Sequence, residues 1–174
     1  LANEGFIGDE ALRAAPGADA PLEGAEHVEF NLAQKRAGAL GDALLDAWPN
    51  QDSARHADFK RWTHQQRSWL DDHARFRVLH DQNHKPWWEW PLPLARHDHK
   101  ALRAWAEQHH SALLREQLTQ WHLDRQWQAI RRQAAELGIQ LFGDLPFYVS
   151  SDSADVWSNR SLFTVKENGQ LTTQ

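Results

Sequence analysis

Apolar residues recur at spacings of three and four along most of the chain, and only late does that rhythm give way to a short apolar run, Ile139 to Phe142. Residues 1–26 are small and turn-rich, with Gly5, Gly8, Pro16-Gly17 and Pro21, and accommodate one short helix around Asp9 to Ala15 followed by a loop through Glu26. From Val28 to about Trp48 the positions Leu32, Leu40, Leu44, Leu45 and Trp48 keep helical spacing until Pro49-Asn50 ends it. A second helix starts near Ser53 and places Phe59, Trp62 and Gln66 on one face. Ser68-Trp-Leu-Asp71 has the form of a capping box, which predicts a fresh helix from Trp69 to about His80 that buries Trp69, Phe76 and Leu79. Residues 81–97 are a loop, because Pro86, Pro91 and Pro93 interrupt any helix through Lys85-Pro-Trp-Trp-Glu-Trp-Pro91. Asp98 caps the next element. Leu102, Trp105, His109, Leu113, Trp121, Trp127, Ile130, Ala134 and Leu137 then predict one uninterrupted helix closed by Gly138.

The run Ile139 to Phe142 breaks at Gly143-Asp144 and Pro146. That is the pattern of a buried strand in a parallel α/β sheet, delivering a carboxylate at its C-terminal end. In α/β barrels the active site lies at that end, which places Asp144 at a functional rim. The competing reading is an Asp that caps the turn after a core strand, and the residues themselves do not separate the two. Asn168-Gly169, between Val165 and Leu171, predicts a hairpin turn. Three or four helices and one strand fall short of a complete (β/α)8 barrel, which needs at least about 200 residues. With Leu1 at its start and no Met, the chain is expected to be an internal piece of a longer protein.

Composition narrows the function. A net charge of −5 over 174 residues gives no electrostatic case for nucleic acid. No apolar run reaches membrane-spanning length and no N-terminal signal pattern appears, so a membrane is not an expected partner. Without Cys there are no disulfides and no thiol chemistry, which suits a cytoplasmic location. Ten Trp against one Tyr, with a mean hydropathy of −0.74, point to amphipathic helices with very polar outer faces. The eleven His include His97-Asp-His99 and His109-His110, but none has the spacing of a metal-binding helix motif. Asp152-Ser-Ala-Asp155 lacks the Gly and distal Glu of a calcium loop. There is no phosphate-cradling Gly-rich loop and no nucleophile elbow. Paired carboxylates perform glycosyl transfer, yet Asp144, Asp152 and Asp155 lie so close in sequence that they are poorly placed to face opposite sides of one sugar. Trp87, Trp88, Trp90, Tyr148 and Trp157 are either core residues or stacking surfaces for pyranose rings. Tyr148 and Trp157 follow the strand end and are the ones expected to be exposed.

Gly143-Asp-Leu-Pro-Phe-Tyr-Val149, followed by Asp152-Ser-Ala-Asp-Val-Trp-Ser-Asn159 and Leu162-Phe163, closely resembles the 4-α-glucanotransferases (amylomaltases, disproportionating enzymes) of glycoside hydrolase family 77 in the α-amylase clan. Trp69-Leu-Asp-Asp72 with Phe76, Pro86 to Pro91, Gln120-Trp121 and Gln126-Trp127 extend the likeness over roughly Val28 to Phe163. Phe147 stands where Ile is usual, His73 where Tyr often follows the two Asp, and Ser158, Arg160 and Ser161 replace Ala, Pro and Glu. The resemblance implies an α/β fold, a partial (β/α)8 TIM barrel in which residues 1–137 are a mainly helical inserted subdomain. Residues 138–174 would then be one central barrel strand and its active-site loop. It implies no catalytic residue in this chain: the nucleophilic Asp, the acid/base Glu and a stabilising Asp belong to motifs C-terminal to it. Asp144, Tyr148, Trp157 and Asn159 are the implied substrate-binding residues. The implied substrates are α-1,4-glucans such as maltose, maltodextrins, starch or glycogen, with no cofactor and no metal. The implied partner is the remainder of the same polypeptide. A free-standing carbohydrate-binding helical module and a helical protein-interaction domain are the alternatives, and neither accounts for the strand-and-loop string.

Overall fold

Asp52 begins the element that organises the molecule. Its Oδ1 accepts the Arg55 N–H at 2.8 Å, and helix α3 then runs unbroken from Ser53 to Asn83, 31 residues. The computed structural model describes residues 1–18, 27, 29–145 and 147–166. The break expected at Ser68 does not occur. A capping box satisfies amides that lack a partner, and at Ser68 the backbone is already inside a hydrogen-bonded ladder. No Gly or Pro interrupts residues 53–83. Trp62 and Leu70, on either side of the expected break, enter the same core. The helix also outruns its expected end at His80 and closes at His84, whose left-handed backbone (φ 50°) sends its N–H to His80 O at 2.9 Å.

Three further helices build the layers beside α3: α6 (His110–Glu136), later in the chain, packs on α3, α2 (Phe30–Ala47) packs on α6, and α1 (Asp9–Ala14) packs on α2. A first core forms where α2, α3 and α6 meet, from Phe6, Ile7, Leu44, Trp48, Trp62, Leu70, Leu118 and Trp121. Its rings pack edge-on: Phe6, Trp48 and Phe59 stand 5.6, 5.7 and 5.4 Å from Trp121. Gly41 lets α2 pass close to α6, since a Cβ there would come within 3.2 Å of Arg115 Nε. Arg115 uses the space to donate to Gly38 O at 2.9 Å and to pair with Asp42.

The long helix expected from Asp98 to Leu137 is in fact two, α5 (His99–Gln108) and α6. Asp98 caps α5 as expected, accepting from Ala101 N at 2.8 Å. The break is made by His109 (φ −120°), whose Nδ1–H donates to Trp105 O at 2.7 Å, the carbonyl its own amide would take in a continuous helix. Its ring stacks on Trp105 at 4.3 Å. The proline-rich stretch is more ordered than a loop: Trp87–Glu89 forms a 3₁₀ turn and Leu92–Ala95 a short helix, α4, with Pro93 in its first turn. A second core gathers Phe76, Leu79, Trp87, Trp90, Ala95, Leu102, Val156 and Trp157. The last two come from α7 (Ala154–Ser158), so part of segment 138–174 packs against helices of segment 1–137.

Gly138 ends α6 in the left-handed region (φ 69°), with Gly138 N to Ala135 O at 3.1 Å and Ile139 N to Ala134 O at 2.8 Å. These two bonds make a Schellman cap. The buried strand expected beyond it is not present: residues 139–145 carry no strand assignment, with Phe142 fully exposed and Leu145 85% exposed. A strand buried on both faces needs neighbours to pair with, and no extended strand exists among the described residues. The turn at Asn168-Gly169 and the loop through Glu26 lie outside the described residues. No helix among the described residues is long and apolar enough to cross a membrane.

His122 is the one buried polar residue among those described, 5% exposed beside the first core, with its ring 5.3 Å from Phe6 and neither nitrogen hydrogen-bonded. Burial pushes its pKa down to about 4, helped by the Leu1 amine and Arg125 and opposed by Glu4. An unfolded His titrates near 6.5, so between about pH 6.5 and 4 the unfolded chain binds the extra proton and stability is lost as pH falls. The loss expected from this group reaches about 3 kcal/mol below pH 4. Thermal melts followed by circular dichroism from pH 7.5 to 4.5 are expected to show a falling midpoint that His122→Leu flattens. An equally steep fall in the variant rules out His122 as the cause.

Candidate functional site

The chain between Val149 and Leu162 is held down by three adjacent residues. Asp152 Oδ1 accepts the Trp87 backbone N–H at 3.2 Å, and its Oδ2 pairs with His80 Nε2 at 3.1 Å. Ser151 O accepts Trp87 Nε1–H at 2.7 Å. Ser153 caps α7, its Oγ accepting from Val156 N at 3.3 Å. This anchoring drives Trp157 into the second core, where it lies 4.5 Å from His97, 5.6 Å from Trp90 and 6.0 Å from Phe76.

Trp157 is fully buried, which corrects the expectation that it would be an exposed stacking surface. The physical reason is the indole N–H, which donates to Leu94 O at 2.9 Å. With its one polar group satisfied, the ring pays no penalty for leaving water. Trp87 and Trp90 are buried in the same way, with Trp90 Nε1 donating to Lys85 O at 2.8 Å. Tyr148 is 94% exposed, in accord with its expected exposure. Asp144 is exposed on the same stretch after α6, and Asn159 is exposed at the end of α7. The structure therefore separates the four residues: Asp144 and Tyr148 project from residues 139–149, Asn159 rims a cleft between α7 and α3, and Trp157 supports α7 from beneath.

Across that cleft stands Asp72, a residue the sequence marks only as part of Trp69-Leu-Asp-Asp72. Its Oδ1 receives both His97 Nε2–H and Arg75 Nη1–H at 3.0 Å. The His97 hydrogen bond, assisted by Arg75 and opposed by burial, holds the Asp72 carboxyl below the usual carboxylate range. His97 reaches it from a left-handed backbone position (φ 57°), unusual for a residue with a side chain. No local signal in the sequence announces a contact between residues 72 and 97, because it depends on the tertiary path of the chain through α4 back to α3. At the next residue, His73 Nε2 lies 3.2 Å from Glu116 Oε1. Burial pushes the Glu116 carboxyl up, and the bonds from His73 and Gln120 outweigh it, so its pKa is lowered on balance.

A long helix clasping an Asp-Ser-Ala-Asp-Val-Trp loop through buried indoles defines a helical scaffold built to display the residues around that loop. The sequence profile of the 4-alpha-glucanotransferase family (glycoside hydrolase family 77) matches residues 8–170, and the chain belongs to that family. Among its relatives, the 4-alpha-glucanotransferase of Thermus thermophilus is 41% identical over 109 residues, 60% of this chain and 21% of that protein. The enzyme of the same name from Synechocystis sp. is 32% identical over 165 residues, 94% of this chain and 32% of that protein. The amylomaltase from Streptococcus agalactiae, solved in complex with acarbose, superposes with a TM-score of 0.79 at 24% identity. That match covers 97% of this chain and 33% of the amylomaltase, so the chain spans about a third or less of the relatives it matches.

Trp157→Ala is expected to cost about 3–5 kcal/mol in urea denaturation, the range for emptying a buried aromatic site. Asp152→Ala is expected to cost about 1–3 kcal/mol, because the Trp87 amide loses its acceptor, whereas Asp152→Asn retains one and costs less. Unchanged midpoints in both Ala variants are incompatible with this account of the anchoring.

Proposed function

We propose that these residues form part of a 4-α-glucanotransferase that moves α-1,4-glucan segments between maltodextrins by retaining double displacement. The observation that carries this reading is the string from Gly143 to Phe163, which lies within the residues the family matches and is anchored on α3 by the Asp152–His80 pair and by Trp157 against Phe76. In such a reaction a carboxylate attacks the anomeric carbon while a carboxylic acid protonates the departing glycosidic oxygen. The 4-hydroxyl of an acceptor sugar, deprotonated by that same group, then displaces the enzyme carboxylate and restores the α configuration.

In this proposal the nucleophile, the acid/base and the stabilising carboxylate lie outside these residues. Residues 139–142 become one central strand of a (β/α)8 barrel once other strands flank them, which would cover the apolar side chains now exposed. That strand brings Asp144 to the rim of the donor cleft, with Tyr148 and Asn159 contacting sugar and Trp157 acting from below as a support. An aromatic-lined cleft favours an acceptor sugar over water by excluding solvent from the intermediate. A cytoplasmic location belongs to the same proposal and is supported by the absence of Cys.

The complete polypeptide carrying these residues is expected to release glucose from maltotriose with concurrent formation of longer maltodextrins. Residues 1–174 alone are expected to release none, and glucose release by them overturns the placement of the carboxylates. Tyr148→Ala in the complete polypeptide is expected to raise KM for maltotriose about 3–10-fold, the loss of one stacking contact. If glucan binds without any transfer, the carbohydrate-binding module is the better reading.

A further inference from the structure

The cleft between α3 and α7 has a volume of about 320 Å³, with Trp69, Asp72 and His73 on one wall and Asp155, Ser158 and Asn159 on the other. This is the lower end of the range for ligand pockets, room for one ring and not for a chain. Trp69 is 42% exposed there, while Trp62, Trp87, Trp90 and Trp157 are buried. Its indole is not loose. Nε1–H donates to Gln66 Oε1 at 2.8 Å, and the ring meets Trp62 and His73 edge-on at 6.3 and 5.7 Å. The wall is therefore oriented before any ligand arrives.

The polar groups are equally prearranged. Both hydrogen bonds to Asp72 fall on Oδ1, which leaves Oδ2 as an ionised acceptor without a protein partner among the described residues. Opposite it, the Asn159 amide is oriented by Nδ2–H bonds to Asp155 O at 3.2 Å and Ser158 Oγ at 2.8 Å. Its side-chain Oδ1 has no partner among the described residues, and the Asp155 side chain is exposed beside it. A flat apolar face set against carboxylate and amide acceptors suits an uncharged ring with C–H groups on one face and hydroxyls around its edge. Asp72 and Asp155 disfavour an anion. No cluster of three or more described His, Asp or Glu residues is arranged to hold a cation.

We propose that the α3–α7 cleft binds one pyranose ring of an α-1,4-glucan, stacked on Trp69 and hydrogen-bonded by Asp72, Asp155 and Asn159. The proposal rests on the glucanotransferase reading and adds a sugar contact away from the rim at residues 143–149. A glucan held there would be tethered by one unit while its remainder extends elsewhere on the surface.

The test uses maltotriose as the probe and the complete polypeptide, with titration calorimetry and hydrogen-exchange protection as readouts. In wild type, maltotriose is expected to protect residues 68–73 and 154–159. Trp69→Ala is expected to weaken maltotriose binding to this cleft about 10-fold and remove that protection, while Trp69→Phe keeps the stacking surface and retains both. Asp155→Ala, at an exposed position outside the residues assigned to the donor cleft, is expected to weaken binding in the same direction even if Trp69→Ala perturbs the fold. Wild-type transfer from maltotriose without protection of the two segments overturns this proposal and leaves the functional reading standing. Wild type that neither binds nor transfers maltotriose overturns both. Protection of the cleft by calcium alone, with no response to maltotriose, overturns it in favour of a cation site.

Discussion

The continuity of α3 is the constraint on which the other elements depend. At 1.5 Å rise per residue it spans roughly 46 Å, enough to belong to two cores at once. Trp62 and Leu70, on either side of its midpoint, enter the first core, and Phe76 and Leu79 further along enter the second. A break in the middle, as the capping-box pattern at Ser68 suggested, would have left two small helical clusters free to move against each other. One rigid rod instead fixes the distance between the α2–α6 layer and the loop that α7 closes. It also carries Trp69, Asp72 and His73 at its midpoint, where the helix is supported from both ends.

The second constraint is the way this chain uses tryptophan. Among the described residues, four buried indole N–H groups find fixed acceptors: Trp62 on Asp124, Trp87 on Ser151 O, Trp90 on Lys85 O and Trp157 on Leu94 O. Three of those acceptors are backbone carbonyls in loops or short helices, segments that lack a regular ladder of their own. Each bond ties an irregular segment to a large buried ring, so apolar burial and loop conformation are set by the same residue. That coupling explains how a chain without disulfides holds the 81–97 and 150–163 segments in place.

Local chemistry carried much of the fold legibly. Asp98 as a cap, Gly138 as a left-handed helix end and the helix over most of residues 28–48 all follow from residues adjacent to the feature they determine. Three features were not legible, each for a physical reason. The helix through Ser68 depends on burial on both sides of a pattern that is locally ambiguous. The break at His109 depends on one side chain taking a carbonyl from the backbone. The strand at 139–142 has the right composition, but hydrogen-bonding partners are what make a strand, and those are not among the described residues. At the candidate site, the exposure of Tyr148 was legible from its place after the apolar run, and the burial of Trp157 was not, since it depends on α4 supplying Leu94 O.

The distribution of the two cores along the sequence has a consequence for how the molecule comes into being. Every buried member of the first core lies between Phe6 and Trp121, so that core has all its parts once the first two-thirds of these residues have left the ribosome. The second waits for Val156 and Trp157. At ordinary synthesis rates of 5–20 residues per second the interval is roughly two to seven seconds. During it Phe76 on α3, with Trp87 and Trp90 from the turn that follows α3, stand beside an unfilled space. Nascent-chain order therefore builds a vulnerable interval into this architecture, with an aromatic surface that only the Asp-Ser-Ala-Asp-Val-Trp loop can shield.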